Sequence, residues 1–213
     1  MKSKIIVIEG LDGSGKATQT KILCEKFSAL GKKVTKLEFP NYESPSPAAA
    51  PVKMYLDGEF GDKPDDVNAY AASAFYAVDR VASYLQFWKK ECENGGVILS
   101  DRYVTSNIIY QMSKLPKEEW NSFIDWLNDF EYEKLGIPKP DLVIYLDVEP
   151  ALMLNPRFRR SLWKNATAVT TARKICMKKT SVSFLTVEKV QFMPLKNVAG
   201  RLLIAVKTER LRV

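Results

Sequence analysis

Histidine does not occur anywhere in the 213 residues. Any acid–base chemistry therefore falls to carboxylates or lysine, or the reaction needs no general base. Cysteine is scarce too: Cys24, Cys92 and Cys176 are odd in number, far apart and without a CxxC pair. Neither a disulfide framework nor a zinc site is supported. No apolar run approaches the ~20 residues that span a bilayer, and the opening MKSKIIVIEG lacks the small-residue site of a cleavable signal. The expected location is the cytoplasm, with no membrane partner.

Acidic residues are nearly missing from one part of the chain. Residues 151–213 hold 14 of the 32 Lys+Arg but only 2 of the 25 Asp+Glu, Glu188 and Glu209, a net of +12 that leaves −5 on residues 1–150. The same segment has a single glycine, Gly200. The overall charge of +7 thus belongs to a tail, and the two parts are expected to be separate units. The length suits one domain with appendages, and 46% hydrophobic residues suffice for a full core.

What is present in the first part alternates between two periods. KIIVIEG begins with a β-branched apolar run that ends in a Gly-rich loop, as a buried parallel strand does. Lys16 to Leu30 then has helical spacing of Ile22, Leu23, Phe27 and Leu30 and stops at Gly31, and the strand KVTKLEF follows. Strand, loop, helix, strand is a βαβ unit, so the fold class is α/β with a parallel sheet between helical layers. Residues 40–51, PNYESPSPAAAP, carry four prolines and are expected to be irregular. A long helical pattern covers 66–93 up to Asn94-Gly95-Gly96. The strand VILSD, helices from Thr105 and from Pro116 to Leu135, and the strand DLVIYLDV complete the part.

Gly10 to Lys16 match G-x-x-x-x-G-K, the pattern of a P-loop NTPase. The glycines let backbone N–H groups surround a phosphate, the following helix directs its positive end there, and Lys16 reaches the outer oxygens. Gly10, Gly13, Ser14, Gly15, Lys16, Ala17 and Thr18 are thus the expected ATP-binding set. Ala17 stands where a Mg²⁺-ligating hydroxyl is usual. Mg²⁺ keeps several waters and takes phosphates plus one or two carboxylates, so Asp12 and Asp101 are the metal candidates. The guanine-reading NKxD is absent and no DxxG switch segment follows the loop. Phe39, Asp101, Arg102 and Tyr103 fall at strand C-termini, where ligands of open parallel sheets gather. An arginine and aromatics there suit an anionic acceptor bearing a planar base.

DGSGKATQ, FPNY with the later LDGEFG, FYAVDR, SDRYVTSNIIYQ and KPDLVIYLDV, in this order, resemble the thymidylate kinase family over residues 3–150. The resemblance implies phosphorylation of dTMP to dTDP by ATP with Mg²⁺, and a homodimer. It implies that Asp12, Lys16 and Arg102 carry the chemistry and that Arg102 holds the dTMP phosphate. By the same resemblance Phe39 walls the base pocket, Tyr76 stacks on thymine and Arg80 approaches the base edge. Asn107 contacts the base and Tyr110 crowds the 2′ position of the sugar. Tyr76 and Arg80 are an i, i+4 pair and share a helix face.

The resemblance stops after Val148, where the family has an Arg-rich lid, a fifth strand and closing helices. Read two bases on, so that each new codon takes the last base of one codon and the first two of the next, with free choice of codon, residues 165–179 can become RYGGDDSKKDMYEK and 198–212 GWQIIDCCKDGKIK, which look like that lid and strand. Residues 151–213 are therefore expected to be an out-of-frame remnant of the lid and last strand, with the slip near 151–160. An altered tail leaves DLVIYLDV as an exposed edge, and a weak or inactive kinase-like protein is one alternative. A nucleic-acid-binding module built on the basic tail is another, although no aromatics interleave with the basic run.

Overall fold

The computed structural model describes residues 2–147 and the strand at 203–207. Five parallel strands form one sheet: β1 (Lys4–Gly10), β2 (Val34–Glu38), β3 (Val97–Asp101), β4 (Leu142–Asp147) and β5 (Leu203–Lys207). Their order is β2-β3-β1-β4-β5. β1 therefore lies in the middle, with Ile8 in register with Asp101 on one side and Ile144 on the other. This layout confirms the α/β class and puts the end of β1 beside the end of β3.

Helix α1 (Lys16–Ala29) follows the phosphate loop and packs across β1, β2 and β3. On the other face lie α3 (Ala69–Ser83), α5 (Thr105–Tyr110) and α6 (Trp120–Asn128), while α2 (Ala50–Asp57) and α4 (Lys89–Glu93) are short connecting pieces. The main core fills the space between the sheet and this second layer. Ile5, Val7 and Ile98 from the strands meet Trp88, Ile108, Phe123 and Leu127 there. Period-2 alternation sends Ile5 and Val7 to that face, and Glu9 with them.

Four expectations change. The proline-rich segment 40–51 is not irregular throughout: a 3₁₀ turn forms at Pro47–Ala49 and α2 starts at Ala50 with Pro51 in its first turn. Proline fits there because the first-turn N–H has no helical partner to lose. The long pattern at 66–93 is interrupted by a π-helical turn at Tyr84–Trp88, and the Pro116–Leu135 pattern ends in another at Asp129–Lys134. The apolar stripe of α1 is only partly used, since Ile22 and Leu30 are 36% and 72% exposed. Lys16 and Thr20 are its buried residues. Spacing defines a stripe, but the direction in which the loop releases the helix decides which face meets the sheet.

Finally, β4 is not an edge. Val143 to Asp147 pair in parallel with Leu203 to Lys207, so the residues LIAVK supply a fifth strand as translated. A parallel partner needs only backbone groups and a short β-prone apolar run. The expected lid at 165–179 and the proposed slip lie outside the described residues. Among the described residues no helix is long and apolar enough to cross a membrane.

Candidate nucleotide site

The phosphate loop leaves β1 through three glycines with positive φ: Gly10 at 146°, Gly13 at 89° and Gly15 at 92°. At Gly10 a Cβ would stand 2.7 Å from Ser14 Oγ and 2.9 Å from the Leu146 carbonyl, so no side chain fits. Ser14 N–H donates to the Leu11 carbonyl at 3.1 Å, and Lys16 Nζ donates to the same carbonyl at 2.8 Å. The ammonium is thereby folded back over the loop. Ser14 Oγ is buried and has no hydrogen-bond partner among the described residues. A buried hydroxyl left without a partner in this loop lacks a bond that the described residues do not supply.

Two cations from different elements converge on one carboxylate. Asp12 Oδ1 is 3.9 Å from Lys16 Nζ and also accepts from Arg102 Nη2. Arg102 sits at the end of β3 with φ 68°, and its N–H donates to the Ile8 carbonyl at 3.0 Å. The guanidinium lies 5.2 Å from the centre of the Tyr110 ring, and Tyr110 OH reaches the Gly10 carbonyl at 3.4 Å. Asp12, Lys16, Arg102 and Tyr110 thus form one group around the loop, as the sequence motifs suggest. Burial pushes the Lys16 ammonium down to about 8, helped by Arg102 and opposed by Asp12 and Asp101. Burial raises the Asp101 carboxyl, and Lys16 is the first charge to oppose it. A buried ammonium whose charge is disfavoured by burial is one that a nearby anion would stabilise.

A second group forms on the α3 side. Arg80 is 1% exposed and grips Glu131 with two bonds, Nε to Oε2 at 2.7 Å and Nη2 to Oε1 at 2.6 Å. Asn107 Nδ2 donates to the same Oε1 at 3.2 Å and to the Ser73 carbonyl at 3.3 Å. Arg80 and Asn107 are therefore brought together, through a residue that no motif indicated. Tyr76 is half-buried and meets the Tyr55 ring edge-on at 6.5 Å. Phe39 is 3% exposed and belongs to the core cluster, its ring 6.0 Å from that of Tyr103. Any role as a pocket wall is played from within the core.

Sequence reasoning missed three acids. Glu9 on β1 is 1% exposed and receives bonds from Tyr103 N–H at 3.0 Å, Thr105 Oγ1 at 2.7 Å and Ser106 Oγ at 2.8 Å. It anchors the turn that carries Arg102. A charged residue on the core face of a central strand was the signal, since period 2 already places it inward. Asp79 accepts from Asn41 N–H at 2.9 Å and ties the segment after β2 to α3. Glu131 carried no such signal, because it lies in the irregular π turn.

Mg²⁺ fits the loop only in part through protein atoms. Among the described residues no set of three or more His, Cys, Asp or Glu could hold a metal. Asp12 and Asp101 both act on Lys16, which places two carboxylates beside the phosphate loop. That suffices for an ion that retains waters and shares phosphate oxygens.

The sequence profile described as Thymidylate kinase matches residues 8–189. The chain belongs to the thymidylate kinase family. A thymidylate kinase of Mycobacterium tuberculosis is 36% identical over 148 residues, 70% of this chain and 67% of that one. A probable thymidylate kinase of Pyrobaculum aerophilum is 30% identical over 147 residues, 69% of this chain and 66% of that one. The chain thus matches about two thirds of the length of these relatives. The fold is that of the thymidylate kinase of Candida albicans, with a TM-score of 0.64 at 21% identity, covering 98% of this chain and 86% of that one. The Ehrlichia chaffeensis enzyme aligns with a TM-score of 0.61 at 20% identity, over 100% of this chain and 92% of that one. Thymidylate kinases are phosphotransferases, and membership of the family makes this chain a kinase by descent.

Proposed function

We propose that this chain transfers the γ-phosphoryl group of ATP to dTMP, giving dTDP and ADP. One observation carries the reading: a single carboxylate, Asp12, links Lys16 of the phosphate loop to Arg102 of the neighbouring strand. Two cations that converge this closely suit two phosphates brought end to end. Gly10, Gly13, Ser14, Gly15, Lys16, Ala17 and Thr18 would take the ATP phosphates, with Lys16 neutralising the transferred group. Arg102 would orient the dTMP phosphate, and Tyr110 beside it would limit the room at the sugar. Tyr76 and the Arg80–Asn107 pair would meet the base.

Phosphoryl transfer asks chiefly for in-line positioning and for positive charge at the moving group. A chain without histidine can satisfy both. Mg²⁺ bound with ATP would add charge neutralisation across its phosphates, with Asp12 and Asp101 as the protein ligands. The test is ADP release coupled to NADH oxidation, with and without dTMP. Release that depends on dTMP is expected, with a loss of roughly 10²-fold or more in Lys16→Ala. ADP release indifferent to dTMP would overturn the reading.

Residues 151–213 are proposed to be a basic tail translated from a shifted frame and attached to a kinase core at 1–150. The change in net charge from −5 to +12 at that boundary supports this. The nucleotide sequence decides it. A neighbouring frame that opens into Gly- and Asp-containing lid residues is expected, and a frame full of stops would sink the idea.

A further inference from the structure

Glu131 is 0% exposed, stands in the π-helical turn that ends α6, and has no place in the chemistry derived above. Three donors nevertheless converge on its carboxylate: Arg80 Nε, Arg80 Nη2 and Asn107 Nδ2, at 2.7, 2.6 and 3.2 Å. Two of them share the single oxygen Oε1, so the guanidinium and the amide are neighbours. The Ser73 carbonyl, 3.3 Å away, accepts from the same Asn107 Nδ2.

This arrangement determines which way the amide faces. A flip would set Asn107 Oδ1 against the Ser73 carbonyl and a carboxylate oxygen, three acceptors with no proton between them. Asn107 is therefore held with its NH₂ toward Glu131 and its carbonyl on the opposite side. Arg80 is constrained likewise: its Nε–Nη2 edge is taken by Glu131, and recognition falls to its Nη1 end. The buried pair thus converts two flexible side chains into an ordered acceptor and donor.

We propose that Glu131 is a positioning residue for base selection. It sets an acceptor, Asn107 Oδ1, beside a donor, Arg80 Nη1, and so favours a pyrimidine with a 4-oxo group and a protonated N3. Cytosine presents the reverse pattern, an amino donor at C4 and an unprotonated N3, and meets like against like. The proposal rests on the dTMP reading given above and goes beyond it by assigning selectivity to a residue that touches no nucleotide. Aspects of the fold agree: π turns recur at functional sites because they redirect side chains. Here the turn turns both Glu131 and Tyr132 inward.

The experiment is calorimetric titration of the full chain with dTMP, dCMP and ATP, for the unaltered protein and for Glu131→Gln. Glutamine keeps the shape but replaces one acceptor oxygen by an NH₂ donor, so it cannot accept from all three donors and sets an N–H against at least one of them. The expected result is about tenfold weaker dTMP binding and a preference for dTMP over dCMP reduced by about tenfold or more. ATP binding should stay within about twofold. Equal weakening for both pyrimidines, or an unchanged preference, overturns the proposal while leaving the dTMP reading standing. No preference in the unaltered protein overturns both. If Glu131→Gln gives no cooperative melt, Glu131→Asp decides instead, since it keeps the charge but withdraws the carboxylate from Arg80 and Asn107. The preference should fall with it as well, and its retention in a folded Glu131→Asp protein would overturn the proposal.

Discussion

Lys16 is the residue whose environment most directly reports on function. Burial, with Arg102 nearby, holds its ammonium down to about 8, below the ordinary 10.5. An anion in the loop would restore the charge, so ATP binding above about pH 8 should take up a proton. Calorimetry in buffers of differing ionisation enthalpy measures that uptake directly, and none is expected near pH 6. The same shift has a stability sign. Between about 8 and 10.5 the unfolded chain binds more protons at Lys16 than the folded one, so this residue's contribution to stability rises with pH across that window. Glu9 offers a second test. Replacing it with alanine leaves Tyr103 N–H and the hydroxyls of Thr105 and Ser106 without their acceptor. A loss of roughly 1–3 kcal/mol in urea denaturation is expected, together with weaker dTMP binding because the Arg102 turn loses its anchor.

At the scale of elements, the loop and the sheet edge are the informative places. Gly10→Ala would push a methyl group against Ser14 Oγ and the Leu146 carbonyl at a φ of 146°. It should abolish ATP binding and lower the melting temperature, since both the loop and β4 must move. Truncation after Asp147 removes β5 and bares the β4 edge. That shortened chain should aggregate more readily than the full chain, as seen by light scattering. The order of elements was readable because period and punctuation agree locally: β1, α1, β3 and β4 fall within a residue or two of their expected positions. The π turns at Tyr84–Trp88 and Asp129–Lys134 were not, because a single inserted residue hardly disturbs an apolar pattern. α2 was hidden by prolines that usually end helices and here begin one.

At the scale of the molecule, several large apolar side chains among the described residues stand exposed. Val78, Leu85 and Phe87 on α3 and its π turn are 47%, 59% and 48% exposed. Val78 and Leu85 stand seven positions apart and share a face. The homodimer implied by the family is proposed to use this face. Sedimentation should show a dimer, and a Val78→Asp, Leu85→Asp double variant should sediment as a monomer. A dimer unaffected by both changes would move the interface elsewhere.

The sequence by itself determined the βαβ order, the phosphate loop and the set of charged residues offered to a ligand, because each depends on near neighbours along the chain. It also exposed the change of character at residue 150. Only the tertiary structure decided who meets whom. Asp12 and Arg102 are 90 positions apart, and Arg80 and Glu131 are 51 apart. No periodicity links such pairs. They meet because strand order sets β1 beside β3 and a π turn rotates Glu131 beneath α3, and a buried charge must find its partner wherever the packing puts it.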